Sequence, residues 1–407
     1  MSFLLDFFRM EEKMMTLIQK GLVFAPQPLG KKDVLILDDK IGAISEPGKI
    51  KVHGVDFHLV DASEKIVIPG FIDSHVHILG GGGEGGPATR APEIRIEEII
   101  SSGVTTVIGC LGTDGTTRHM ESLLAKARGL EIEGITTFIF SGSYQIPVVT
   151  ATGSILSDLI LIDKVIGAGE IAISDHRSSQ PLFEEITRLA AECRLGGMLG
   201  GKAGVLHLHL GDGPRKLEML FRLTKETEIP PTQVIPTHVN RNRALFEEAV
   251  EFILQGGYAD LTAGSDPQIR GQGEMSIAEG IEIMLEKKAP IDRVTVSSDS
   301  NGSLPFFDKR GNLLGLTIAS QKSLLKNFRF LVKKKILSLE DAIKLFSTNP
   351  AIFYKLNQKG KLEAGKDADL ILLDKNYNLT DSLAMGRIMM RDRKLVAKGT
   401  FSSSSKA

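Results

Sequence analysis

Residues 71–78 read FIDSHVHI, a short apolar run that carries two histidines two positions apart near its end. In an extended strand, residues i and i+2 leave the same face, so His75 and His77 can reach one ion without distorting the backbone. Similar β-branched runs follow: TTVIG at 105–109, ITTFIFSG at 135–142, IAISD at 171–175, VLHLHLG at 205–211, QVIPTHV at 233–239, DLTAG at 260–264 and RVTVSSD at 293–299. Their starts recur at roughly 30-residue intervals with helical patterns between them. Helical text at 182–193, 216–227 and 244–255 places apolar residues three and four apart. Eight such units predict an α/β fold, a (β/α)₈ TIM barrel. Barrels of this kind carry chemistry at the C-terminal ends of their strands. His75, His77, Ser174, Asp175, His209, His238 and Asp299 all fall at or just past such ends.

The ends of the chain have a different texture. VLILDDKIGAIS at 34–45 gives two apolar runs split by a polar turn, and 60–67 continues in that style. After Asn349-Pro350 the helical text stops, and GKLEAGKDADLILLDKNYNL at 360–379 returns to strands and turns. The expectation is a smaller β-sandwich domain built from residues 1–68 and 356–407, flanking a barrel of residues 69–355. The first dozen residues and the SSSS run at 402–405 invite no functional reading.

Composition excludes several classes. The 407 residues include 49 basic and 50 acidic side chains, so bulk charge selects no nucleic acid. At 42% hydrophobic residues the chain can bury a large core. Two cysteines, Cys110 and Cys193, fit a reducing compartment better than a disulfide scaffold. No apolar stretch is long enough to span a membrane, and MSFLLDFF lacks the basic start and cleavage site of a secretory signal. A cytoplasmic location is expected.

Of nine histidines, only some carry a spacing signal. An H-x-H pair alone fits two hydrogen-bonded histidines as well as a metal site. Convergence with His209, His238 and Asp299 on one barrel mouth is what favours metal. Nitrogen and oxygen ligands on rigid strands, with room for water, describe a hydrolytic zinc-type centre, with manganese, iron and cobalt left open. His207 shares a face with His209 but lies deeper and suits a core or supporting role. His53, His58, His119 and His176 show no comparable pattern.

PGFIDSHVH at 69–77, SSD at 297–299 and G-x-L-x-x-G-K-D-A-D-L at 360–370 resemble the amidohydrolase superfamily over nearly the whole chain. GGGGEGGPATR (80–90), GCLGTDG (109–115), AISDHRS (172–178), HLGDG (209–213), PTHVNRN (236–242) and SSDSNGS (297–303) are similar to the isoaspartyl dipeptidases within it. The resemblance implies two Zn²⁺ per chain: His75, His77 and Asp299 on the more buried ion, His209 and His238 on the other, with a hydroxide and a carboxylate bridging them. The bridge in that family is usually a carbamylated lysine just upstream of AISDHR. Here, in VIGAGEIAISDHR, the aligned residue is Glu170. Glutamate is shorter, so its strand end must approach the ions, and Gly167 and Gly169 can permit that. The alternatives are a single tightly held ion or a bridge from Lys164 or Lys202, each lysine being poorly aimed.

By the same resemblance the reaction is hydrolysis of the isopeptide amide of a β-aspartyl dipeptide, releasing aspartate and a second amino acid. Asp299 acts as general base and acid, and Tyr144 donates to the carbonyl oxygen. Glu84 faces the substrate ammonium, Arg177 and Arg241 face the leaving residue's carboxylate, and Thr113, Ser303 and the Gly82 backbone contact the aspartyl end. The glycine run lacks the Walker lysine and dinucleotide spacing, so a flexible loop over the substrate is a better reading than a phosphate cradle. The partners implied are a small dipeptide and further copies in a homo-oligomer. Two alternatives stay open: an N-acyl amino acid deacylase or dihydroorotase-like ring hydrolase, which need not keep Glu84, Arg177 and Arg241, and a non-catalytic scaffold of the same fold.

Overall fold

The computed structural model describes residues 15–264, 273–307 and 313–402. The first dozen residues, and all but the first serine of the SSSS run, lie outside them. The central ring consists of β1 (Phe71–Val76), β2 (Val104–Gly109), β3 (Thr136–Ser141), β4 (Val165–Ile173), β5 (Val205–Leu210), β6 (Val234–Thr237), β7 (Ala259–Thr262) and β8 (Val294–Ser297). Nearly every residue in these strands is buried, because a parallel sheet covered on both faces selects continuous apolar text rather than alternation.

Strands β1 to β6 pair in order as one parallel sheet, and β7 pairs in parallel with β8. Two seams remain, and a buried aspartate lies at each. Asp73 of β1 accepts hydrogen bonds from the Ser298 amide at 3.0 Å, the Ser298 hydroxyl at 2.5 Å and Gln321 at 2.8 Å. A parallel bridge between Val76 and Ser300 closes that seam. Asp260 of β7 accepts from Thr237 of β6 at 2.7 Å and from Thr295 and Ser297 of β8 at 2.6 and 2.5 Å.

The outer layer is α1 (Ile96–Ile100), α2 (Met120–Glu133), α3 (Ile155–Leu161), α4 (Phe183–Leu199), α5 (Glu218–Glu226), α6 (Arg243–Leu254), α7 (Ile277–Glu286) and α8 (Lys322–Lys333). Apolar faces such as Leu245, Phe246, Ala249 and Val250 of α6 bury against the strands. Inside the ring, Ile72, Ile108, Phe140, Ile166, Val205 and Ile235 pack with Phe353 and Tyr354, so the cylinder is filled.

The helix expected over 182–193 runs to Leu199. The glycines of its LGGM segment make room. A Cβ at Gly196 would meet Leu159 at 2.8 Å, and one at Gly197 would meet the Gly204 Cα at 2.6 Å.

Both chain ends form one sheet. Ile66–Pro69 pairs antiparallel with Leu370–Leu373, Ile68 opposite Ile371, and Met15–Phe24, Pro28–Leu37 and Lys40–Ser45 continue on one side. Ile18, Val34, Ile36, Val60, Leu370 and Leu383 from across this sheet meet in a single apolar cluster, so the sheet closes over a core of its own.

Candidate metal centre and substrate pocket

Strand register brings the ligand candidates together. His209 of β5 stands opposite Ala172 of β4 and Thr237 of β6, which sets Glu170 just below that level and His238 one residue above it. The β4–β5 ladder shifts between the Leu206–Ala168 and Leu208–Ile171 pairs, so Gly169 and Glu170 together oppose His207. Such a bulge bends the strand and re-aims a side chain. Gly169, at φ +153°, lies against the neighbouring strand, and a Cβ there would meet the His207 carbonyl oxygen at 2.7 Å. His238 and Asp299 both adopt left-handed backbone, at φ 61° and 55°, a conformation that non-glycine residues hold only where the surroundings impose it.

Glu170, almost fully buried, lies between two histidine pairs. Its carboxylate is 3.4 Å from His75 Nε2 and 3.4 Å from His77 Nε2 on one side, and 2.9 Å from His209 Nδ1 and 3.6 Å from His238 Nε2 on the other. Asp299 stands 3.0 Å from His77 Nε2 and 3.6 Å from His75 Nε2. Among the described residues, two sets have ligand atoms within 4.8 Å of one another: His75, His77, Cys110 and Glu170, and Glu170, His209 and His238. Glu170 belongs to both. His75 Nε2 and Glu170 Oε1 are buried with no hydrogen-bond partner. Buried polar atoms left without partners are costly unless something binds them, and this set of nitrogens and oxygens suits divalent cations.

Supporting contacts fix the rings. His75 Nδ1 meets His207 Nε2 at 2.8 Å, and His207 stacks on Phe140 at 4.7 Å, as its deeper position suggests. His238 Nδ1 meets the Thr262 hydroxyl at 2.6 Å. His209 Nε2 meets Asp175 at 3.1 Å, and Arg177 grips the same carboxylate at 2.7 and 3.0 Å. Lys164 instead pairs with Glu131, and Lys202 donates to the Ile162 carbonyl, so neither points at the centre.

Around the mouth, the Tyr144 hydroxyl lies 2.9 Å from His209 Nδ1, and burial, then the charge of Glu170, raises its pKa well above the ordinary phenol value. Arg177 lies over the Tyr144 ring at 5.3 Å and reaches Glu84 at 3.4 Å, while Thr113 donates to Glu84 at 2.6 Å. A Cβ on Gly82 would meet Ser303 Cβ at 2.9 Å, so those two are neighbours. Arg241 is half-buried and donates to the Leu210 carbonyl at 3.0 Å.

The glycine run, expected as a flexible loop, begins with a packed turn. Gly80 to Gly82 are buried, and Arg118 donates to the carbonyls of Leu79, Gly81, Gly82 and Ala91 at 3.0 to 3.4 Å. Sequence reasoning missed Arg118, which carries no motif signal. It also missed Cys110, although the strand-end rule applied to the second run would have found it.

A filled eight-stranded ring with histidines and carboxylates at its strand ends defines an amidohydrolase: the chain belongs to the amidohydrolase family, matching it over residues 66–253 and 273–401. More particularly, it is similar to the β-aspartyl dipeptidase of Fervidobacterium islandicum AW-1. One structure of that enzyme, in complex with β-Asp-Leu, is 47% identical, with a TM-score of 0.85 and coverage of 94% of this chain and 98% of that one. A second is 44% identical with a TM-score of 0.86 over the same shares. The allantoinase of Bacillus licheniformis is 24% identical over 89% of this chain and 87% of that protein.

Proposed function

We propose that this chain hydrolyses the isopeptide bond of β-aspartyl dipeptides with the help of two divalent cations, zinc being the expected kind. The observation that carries the reading is Glu170, one buried carboxylate shared by two histidine pairs, with Arg177 of the Arg177–Glu84 ion pair 3.3 Å from His209. The 47%-identical relative that holds β-Asp-Leu supports the substrate class. His75, His77, Glu170 and Asp299 would hold one cation, and Glu170, His209 and His238 the other. When bound, such ions lower the pKa of a water and polarise an amide carbonyl.

Asp299 accepts the proton of the attacking water and delivers it to the leaving amine, a transfer suited to a carboxylate at the edge of the cluster. Tyr144, kept neutral, donates its hydroxyl to the carbonyl oxygen as negative charge develops there. Glu84 takes the substrate ammonium. Arg177 and Arg241 bind the leaving residue's carboxylate, where a planar guanidinium engages two oxygens. Thr113, Ser303 and the Gly82 backbone orient the aspartyl end.

The test assays one purified preparation on β-Asp-Leu, α-Asp-Leu and an N-acyl amino acid while counting its metals. Turnover of β-Asp-Leu well above the other two is expected. Equal turnover of the α- and β-linked peptides would remove the assignment, and preference for the N-acyl compound would move it to a deacylase.

A further inference from the structure

We propose that Cys110 supplies a sulfur ligand to the more buried cation, which makes that position selective for thiophilic divalent ions such as zinc or cadmium over magnesium or manganese. The proposal rests on the reading of the cluster as a metal centre and names a ligand that the histidine and carboxylate pattern does not contain.

Cys110 directly follows β2 and points into the ring, where it packs among Ile72, Ile108 and Phe140 and is 1% exposed. Its sulfur belongs to the compact set with His75, His77 and Glu170. Its sulfur lies 3.7 Å from the Val76 carbonyl and 3.7 Å from His77 Nδ1, both long contacts, while His77 turns its other nitrogen to Glu170 and Asp299. The second observation is independent of the cysteine: His75 Nε2 and Glu170 Oε1, both buried, lack partners in the same space. A sulfur and an imidazole nitrogen on one zinc stand at most about 4.4 Å apart. One ligand atom of each of Cys110, His75, His77 and Glu170 lies within 4.8 Å of the others, so joint coordination needs side-chain shifts toward the ion.

Binding through sulfur requires the thiolate, so Cys110 gives its proton to solvent when the ion enters. Softness then separates candidate metals: thiolate favours zinc, cadmium and cobalt, whereas magnesium and manganese prefer oxygen. The other thiol, Cys193, is buried on α4 within the outer core and serves as an internal control.

The experiment strips the full-length protein of metal, titrates in cobalt(II), and records the near-ultraviolet sulfur-to-cobalt charge-transfer absorption together with the visible ligand-field bands. Wild type and Cys193→Ala should show both features. Cys110→Ser should keep the ligand-field bands at saturating cobalt and lose the charge-transfer band, with near-ultraviolet circular dichroism checking that its fold is intact. Its cadmium affinity should fall by about 10- to 100-fold, at least the loss that removing a supporting contact causes. Ligand-field bands without charge transfer in the wild type, or charge transfer that survives in Cys110→Ser, would overturn the sulfur ligand while leaving the metal centre standing. Absence of any cobalt uptake would overturn the metal centre itself and the sulfur ligand with it.

Discussion

A carbamylated lysine carries its carboxylate several bonds farther from the main chain than glutamate does, and here backbone makes up the difference. The bulge adds a residue to the ladder at Gly169 and Glu170, and the short Glu170 side chain comes within 3.4 Å of His75 and 2.9 Å of His209. Because that carboxylate is the shared member of the proposed two-cation centre, Glu170→Ala should lower the metal content from the two ions expected per chain to one or none, read by elemental analysis. Two retained ions would take Glu170 out of the bridge. The histidines were legible because their rule is geometric: strand ends of one barrel meet at one mouth. The bulge was only half legible. Glycines before Glu170 suggested latitude, but an extra residue in a ladder is a property of the partner strand's register, which a single run of sequence does not contain. Cys110 escaped notice because a lone buried cysteine usually reads as a small apolar residue.

At the level of elements, glycine plays one part in two places. Glycine-rich text reads as loose, yet in α4 and in the run at 80–82 the missing side chain allows close approach. Gly80, at φ +77°, would drive a Cβ to 2.1 Å from the Ala91 carbonyl oxygen. Arg118 then fastens that turn from beneath with four donated hydrogen bonds. Hydrogen bonds from charged groups contribute more than neutral ones, so Arg118→Ala should raise KM for the dipeptide by about 10-fold or more, with a smaller fall in kcat. Faster amide exchange across residues 79–91 should accompany it; unchanged KM and exchange would show the turn holds itself.

The seam aspartates make a second prediction at this scale. Burial, against the pull of three hydroxyl donors, raises the Asp260 carboxyl above its ordinary 3.8. Its stabilising protonated form is therefore fully present below that value and is lost as pH rises through the higher folded value. Asp260→Asn cannot titrate. Calorimetric melting of the pair from acid to neutral pH should show the wild type losing ground to the variant, and a pH-independent gap would contradict the assignment.

For the whole molecule, the closing G-x-L-x-x-G-K-D-A-D-L text is a fastening between barrel and end sheet. Lys359 is buried beside Asp369 and Asp367 at 2.5 and 2.8 Å and also donates to Thr136 of β3 at 2.7 Å. Lys359→Met would leave buried carboxylates short of a cation, which typically costs about 3 to 5 kcal/mol. Denaturant unfolding reads this directly, and a loss under about 1 kcal/mol would rank the cluster with surface pairs. The ring and the joined chain ends were legible at this scale, since matching strand text at both termini has one economical solution. The seams were not, because polar side chains within apolar strands carry no sign of which neighbour they will face.

Ring closure also sets an order of events during synthesis. Val76 meets Ser300, so the first staves of the cylinder wait for the last, and Asp299 arrives only with them. A nascent polypeptide emerging from the ribosome presents His75 and His77 first, Glu170 later, and Asp299 last of these neighbours. Loading of the proposed cations by the full ligand set consequently waits until residue 299 has emerged, and a product truncated ahead of it would keep imidazoles able to scavenge ions without the proposed general base.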